Sequence, residues 1–138
     1  MTVEIRESDT VSPDARDQVE TVLTAHAEEA GHPFTNAPCI LEAWDGDTFA
    51  GALHAEIGSH WVFVKLLGIA PDYRQAGLGS RLLRRIEDIA RNKGKTGIWL
   101  DTYSFQAPDF YPRHGFTEIG RIEDYPPGQS RIFFQKRL

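Results

Sequence analysis

The sequence predicts an α/β domain in which helices lie against a mixed β-sheet, and three observations carry that expectation. Hydrophobic spacing switches between the strand and helix periods in the order β-α-β-β-β-α-β-α-β-β. Residues 65–80, KLLGIAPDYRQAGLGS, take an apolar run through a glycine-bearing loop straight into an amphipathic helix. The 138 residues, 41% of them hydrophobic, suit one core and one domain over 1–138. There is no internal repeat, low-complexity tract or linker.

Each element follows from local pattern. Thr2–Glu7 alternates, with Val3 and Ile5 on one side, and is expected as an edge strand. Ser12 caps a helix whose first turn holds Pro13, and Ala15, Val19, Val22, Leu23, Ala27 and Ala30 form its apolar stripe. Gly31 and His32-Pro33 end it. Cys39–Trp44 and Thr48–Ile57 flank Asp45-Gly46-Asp47, a hairpin turn signal. His60–Ile69 is a long strand with little alternation, expected to be covered on both faces. Leu78, Leu82, Leu83, Ile86, Ile89 and Ala90 give the next helix its apolar face, with Arg81, Arg84, Arg85, Glu87 and Asp88 outside. Lys93-Gly94 closes that helix. Gly97–Thr102 is a buried strand, and Gln106–Arg113 a short helix with Pro108 in its first turn. Phe116–Glu123 and Arg131–Gln135 are the last strands, joined across Pro126-Pro127-Gly128.

The loop before the second helix carries the chemistry. Glycines let backbone N–H groups approach an oxyanion, and the helix end adds partial positive charge, so Arg74–Ser80 is expected to hold a phosphate. Arg74 is either a phosphate ligand, its guanidinium suited to oxyanions, or a solvated turn residue. No Lys-Ser/Thr pair follows the glycines, which disfavours a nucleotide-hydrolysing loop. The net charge of −5 argues against a nucleic-acid partner and leans towards a cationic one. No apolar run approaches the ~20 residues a membrane helix needs, and the N-terminus lacks a signal-peptide pattern, so a cytoplasmic location is expected. Cys39, the single cysteine, excludes an internal disulfide and is expected to be buried and inert. His26, His32, His60 and His114 have no metal-ligand spacing, and no metal is expected.

The run Arg74-Gln75-Ala76-Gly77-Leu78-Gly79 between strand and helix resembles the signature of the GNAT superfamily of acyl-CoA-dependent N-acyltransferases. A second family signature, a small helix ending in an aromatic pair and Gly-Phe, stands as Ala107-Pro108-Asp109-Phe110-Tyr111-Pro112-Arg113-His114-Gly115-Phe116. The resemblance is firm from Lys65 to Phe116 and extends to the order of elements. It implies a GNAT-like mixed, largely antiparallel sheet with helices on both faces and a splay between the fourth strand, His60–Ile69, and the fifth, Gly97–Thr102. It implies a transferase that moves an acetyl group from acetyl-CoA, the co-substrate, to a primary amine of a small molecule, amino-acid derivative or protein. The rival is a non-catalytic acyl-CoA-binding module on the same fold. A homodimer through the C-terminal strands stays open.

The resemblance also implies a division of labour. Gln75, Ala76, Gly77, Leu78, Gly79 and Ser80, with Arg74, would bind the pyrophosphate. Leu67, Gly68 and Ile69 would pair with the pantetheine arm as if it were an added strand. Ser104 falls where many members carry an Asn that contacts the pantetheine or diphosphate. Tyr111 would protonate the departing thiolate, which a phenol with an ordinary pKa of about 10 can do at neutral pH. Some members carry a basic Glu in the middle of the fourth strand. Phe63 stands near that position here and cannot serve. Leu100-Asp101 fits an alternative acidic pattern, so Asp101 is the candidate base or substrate-polarising group, with capping of the following turn as its other reading. Glu56 and His54 are runners-up, and a water relay is the remaining route.

Overall fold

The computed structural model of the chain describes residues 2–138. They form two compact units, one ending at Phe34 and one running Thr35–Leu138. The first holds helix α1 (Pro13–Glu29), which starts as its sequence predicts: Ser12 Oγ accepts from the Ala15 amide at 3.4 Å and Pro13 occupies the first turn. Gly31, at φ +80°, takes the left-handed conformation just beyond the helix. Thr2–Glu7 forms no strand. The Val3/Ile5 alternation supplies the side-chain pattern, but a strand also needs a ladder partner. Among the described residues of that unit the other element is a helix, whose backbone groups are spent internally.

The second unit contains the whole sheet: β1 (Ala37–Asp45), β2 (Thr48–Ile57), β3 (Trp61–Ile69), β4 (Gly97–Tyr103), β5 (Thr117–Glu123) and β6 (Ser130–Arg137), in spatial order β1-β2-β3-β4-β6-β5. All neighbours are antiparallel except β3 and β4, which are parallel and joined through helix α2 (Leu78–Asn92). The β1–β2 hairpin turns at Gly46, as its Asp-Gly pair predicts. Cys39, within β1, is half-buried rather than buried, because β1 lies at the edge of the sheet.

Two irregularities shape the centre. In the β2–β3 ladder His54 faces Leu66 while Ala55 faces Val64, so Lys65 is a bulged residue. The β3–β4 ladder covers only Trp61–Val64 against Gly97–Leu100. Past that point β3 stays with β2 as far as Ile69 opposite Gly51, and β4 stays with β6 as far as Tyr103 opposite Arg131. The two strands therefore diverge, and the facing edges of 65–69 and 101–103 are left without a ladder. This is the splay that the family resemblance implies.

One core cluster sits on the α2 side. Leu53, Val62, Val64, Ile98, Leu100 and Phe134 of the strands meet Leu82, Leu83, Ile86 and Ala90 of α2, with Tyr111 and Phe116 completing it. The apolar stripe predicted for residues 78–90 packs into this core. Trp99, Asp101 and Tyr103 alternate to the other side of β4, where Trp99 stacks on Phe63 with ring centroids 4.0 Å apart.

The predicted helix over 106–113 contracts to α3 (Phe110–Arg113). Gln106 is spent on a turn instead. Its side-chain oxygen accepts from Thr102 Oγ1 at 2.9 Å and from the Tyr103 amide at 3.1 Å, tying it back to the end of β4. Pro108 then falls ahead of the helix.

Candidate active site

The donor loop is built by short anchors at the end of β3. The Ala70 amide donates to Ala50 O at 2.8 Å, and a 3-10 turn follows at Pro71–Tyr73. Tyr73 Oη donates to Asp45 Oδ2 at 2.7 Å and pins that turn to the β1–β2 hairpin. Arg74 Nε donates to Ile69 O at 3.1 Å, so its guanidinium braces the loop across its base. Gln75 (φ +66°) and Gly77 (φ +75°) both take the left-handed conformation. Gly77 is the cap of α2 and supplies no side-chain acceptor. The amides of Leu78, Gly79 and Ser80 are the first of the helix and have no intrahelical acceptor. Left-handed residues in a loop and open helix-end amides together make an anion-binding concavity. A Cβ at Gly77 would meet nothing within 4 Å, and the same is true of Gly68 on the diverging edge of β3, so both backbones are open to an approaching ligand.

The aromatic pair closes on this loop. A Cβ on Gly79 would meet the Phe110 ring at 3.4 Å and the Ile69 side chain at 3.9 Å. Leu67–Ile69, the 75–80 loop and Phe110-Tyr111 therefore converge at one end of the splay. Tyr111 is 9% exposed, with its ring against Phe110, Phe116 and Phe134 at centroid distances of 5.1, 5.9 and 5.8 Å. Burial, reinforced by the negative charge of Asp101, pushes its phenol up to about 12. The group thus holds its proton at neutral pH. Gly115, at φ +85°, turns the chain out of α3 into β5.

Of the candidate bases, the two carboxylates are both partnered. Asp101 Oδ1 accepts from Arg131 Nε at 2.7 Å. That guanidinium also lies over the rings of Tyr103, Tyr125 and Phe133 at 5.7, 5.5 and 5.5 Å, and its Nη1 donates to Tyr125 Oη at 3.3 Å. Glu56 pairs with Lys65 at 3.1 Å. His54 lies between Ile40 and Leu66 in the ladder. Ser104 donates to Gln129 Oε1 at 2.6 Å and accepts from the Ser130 amide at 2.9 Å, so its hydroxyl braces the end of β4 against the start of β6.

Two functional candidates were not singled out from sequence. Arg131, the partner of Asp101, stands 30 positions away, and only the β4–β6 register shows the pairing. His114 Nε2 lies 2.9 Å from Ser80 Oγ. Lys136 Nζ donates to the His114 carbonyl at 2.7 Å and to Glu87 Oε1 at 2.8 Å. The one linear signal for His114 is its place three residues after Tyr111. Among the described residues no group of His, Cys, Asp and Glu side chains is placed to hold a metal ion, and no helix is long and apolar enough to cross a membrane.

Comparison with known proteins agrees with this geometry. Residues 3–116 match the acetyltransferase (GNAT) family model. The blasticidin-S acetyltransferase of Streptomyces morookaense is 42% identical over 90 residues, which are 64% of this chain and 66% of that protein, just under two thirds of its length. A crystal structure of an acetyltransferase from Bacillus cereus is 29% identical, covers 96% of this chain and 98% of its own, and superposes with a TM-score of 0.81. An aminoglycoside 6′-N-acetyltransferase complexed with coenzyme A, 18% identical over 98% of this chain and 97% of its own, shares the fold with a TM-score of 0.65. With the splayed sheet, the glycine loop and the aromatic pair all in the family's order, the chain belongs to the acetyltransferase (GNAT) family.

Proposed function

We propose that the protein transfers an acetyl group from acetyl-CoA to a primary amine by direct attack on the thioester. The observation that supports this best is the convergence of three features at one end of the splay: the unladdered edge of 67–69, the open amides of 75–80, and Tyr111. Acetyl-CoA supplies an activated acyl carbon, a thiolate leaving group and a phosphate handle. The residues present fit each part. Left-handed Gln75 and Gly77 and the first amides of α2 receive the diphosphate, with Arg74 beside them. Backbone groups of Leu67, Gly68 and Ile69 pair with the amide-bearing arm as a strand edge would.

In the transfer, the amine nitrogen forms a bond to the acyl carbon and the carbon–sulfur bond breaks. Tyr111 gives its phenolic proton to the departing sulfur. The proton lost by the amine goes to Asp101 or to water, and the tyrosinate regains one from solvent. Asp101 has Oδ1 engaged by Arg131, so its role is through Oδ2. Its pairing makes it better suited to orient an ammonium than to take a proton outright. Ser104 supports the site indirectly, since its hydroxyl is bonded twice and its amide donates to Ser130 O at 2.8 Å.

The acceptor is proposed to be a small cationic amine. The blasticidin-S relative is named for a small molecule, and the Asp101 carboxylate, bonded to Arg131 through Oδ1, leaves Oδ2 for an ammonium beside a cluster of Tyr103, Tyr125 and Phe133 rings that the same guanidinium overlies. The test is a panel of amines, including blasticidin S, amino-acid amides and peptide N-termini, followed by release of the CoA thiol. Turnover with one class supports the reading. Tight acetyl-CoA binding with no thiol release across the panel would favour the non-catalytic binding module instead.

A further inference from the structure

The Ser80–His114 contact joins the two halves of the donor site. Ser80 is in the first turn of α2, among the amides assigned to the diphosphate. His114 caps α3, and its amide donates to Tyr111 O at 2.9 Å. The histidine is held from several sides. Lys136 Nζ grips its carbonyl at 2.7 Å, and the Phe110 ring lies 4.7 Å from the imidazole. With the backbone so anchored and the Phe110 ring beside the imidazole, Nε2 lies 2.9 Å from Ser80 Oγ.

A serine hydroxyl has one proton and two lone pairs. When Nε2 is bare, Ser80 must spend its proton on the imidazole, and only lone pairs face outward. Lone pairs repel a phosphate oxygen. When Nε2 carries a proton, it donates to Ser80 Oγ, and the hydroxyl proton is free to point at the phosphate. We infer that His114 is a positioning residue for the acyl donor: by donating from Nε2 it orients the Ser80 hydroxyl as a donor to the phosphate. This rests on the acetyl-CoA reading above.

The surroundings make the choice a matter of tautomer at neutral pH. Burial lowers the His114 pKa below its ordinary value, with Glu87 opposing and Arg84, Lys136 and Arg113 adding to the fall. Those four are the charged groups facing it, from α2, β6 and α3. The ring is therefore neutral near pH 7, and it must adopt the Nε2–H tautomer when donor is bound. The imidazolium donates from Nε2 as well, so acidification cannot break the arrangement. A bound dianion stabilises the protonated nitrogen further.

The test is calorimetry of acetyl-CoA binding to the full chain and its variants, with kinetics where an acceptor is found. His114→Leu removes the donor and is expected to weaken acetyl-CoA binding about tenfold, as loss of a hydrogen bond to a charged group does. Gln places an amide nitrogen near the Nε2 position, so His114→Gln is expected to retain most of the affinity. Ser80→Ala is expected to lose a similar factor, and His114→Leu on that background is expected to add almost nothing. The KM for acetyl-CoA should move and kcat should not. In 15N spectra of bound protein, Nε2 of His114 should carry the proton. A bare Nε2 in the complex would overturn the inference. So would a tenfold loss from His114→Leu that persists undiminished in the Ser80→Ala background, which marks a packing role. If wild-type protein does not bind acetyl-CoA, the donor reading fails and this inference fails with it. If it binds and the variants are additive, only this inference fails.

Discussion

Tyr111, the proposed proton donor, shows how burial, reinforced by Asp101, holds a phenol in its protonated form. Its ring is enclosed by Phe110, Phe116 and Phe134, and that enclosure raises its phenol to about 12. A proton donor is most useful when it is protonated before the step and stands beside a group that becomes basic during it, as a departing thiolate does. Tyr111→Phe keeps the packing and removes the proton, so kcat is expected to fall by roughly 10²–10⁴-fold. The KM for acetyl-CoA should change little, and steady-state kinetics with any accepted amine would check both. The same burial has a stability signature. The folded state binds this proton more tightly than the unfolded chain, whose phenol titrates near its ordinary value of about 10. The contribution is thus fully present below pH 10 and is lost as pH rises through about 12. Denaturant midpoints measured from pH 8 to 12 should fall more steeply for wild type than for Tyr111→Phe, and equal slopes would place the titration elsewhere.

At the scale of elements, the loop between β3 and α2 is a backbone device, and its side chains matter mainly for the conformations they permit. Gly77 sits at φ +75° with open space where a Cβ would go, so Gly77→Ala clashes with nothing and pays only the left-handed backbone cost, about 1 kcal/mol. Thermal unfolding should show that modest loss, while acetyl-CoA affinity falls further because the loop amides relax away from the anion. Gly97 is the opposite case: a Cβ there would meet Lys136 O at 2.5 Å and the Trp61 ring at 2.5 Å, a steric demand that nothing in the local sequence announces. The contrast marks what was legible in sequence. Arg74–Gly79 is a local motif in which spacing dictates conformation, and α2 and the β1–β2 hairpin follow from period and turn chemistry, so these were readable. Tyr111 was readable through its neighbours Phe110 and Gly115-Phe116. The bulge at Lys65 depends on the β2–β3 register, and the Asp101–Arg131 and Ser80–His114 contacts join residues 30 and 34 positions apart, none of which periodicity encodes. Thr2–Glu7 failed for the related reason that alternation describes side chains and not a ladder partner.

At the scale of the sheet-bearing unit, β6 is the element that ties the β4 side of the splay to α2 and to the end of α3. It pairs with β4 along its length and with β5 on its other side, and it carries a charged contact near each end. Arg131 holds Asp101 at one end. Lys136 at the other reaches back to Glu87 of α2 and to the carbonyl of His114, with its ion pair only 20% and 11% exposed. Such a pair is costly to break from one side, because the survivor is left charged and poorly solvated. Lys136→Met is therefore expected to destabilise the protein by roughly 3–5 kcal/mol, as loss of one partner of a buried pair does. It should also loosen the turn that carries Tyr111. Pairing it with Glu87→Leu removes the stranded carboxylate, and the double variant should regain most of the lost stability, since an apolar replacement of both partners is often close to neutral. Urea midpoints of the two single variants and the double variant decide this. If the double variant is as unstable as Lys136→Met alone, the bond to the His114 carbonyl, rather than the ion pair, is what holds α2, α3 and β6 together.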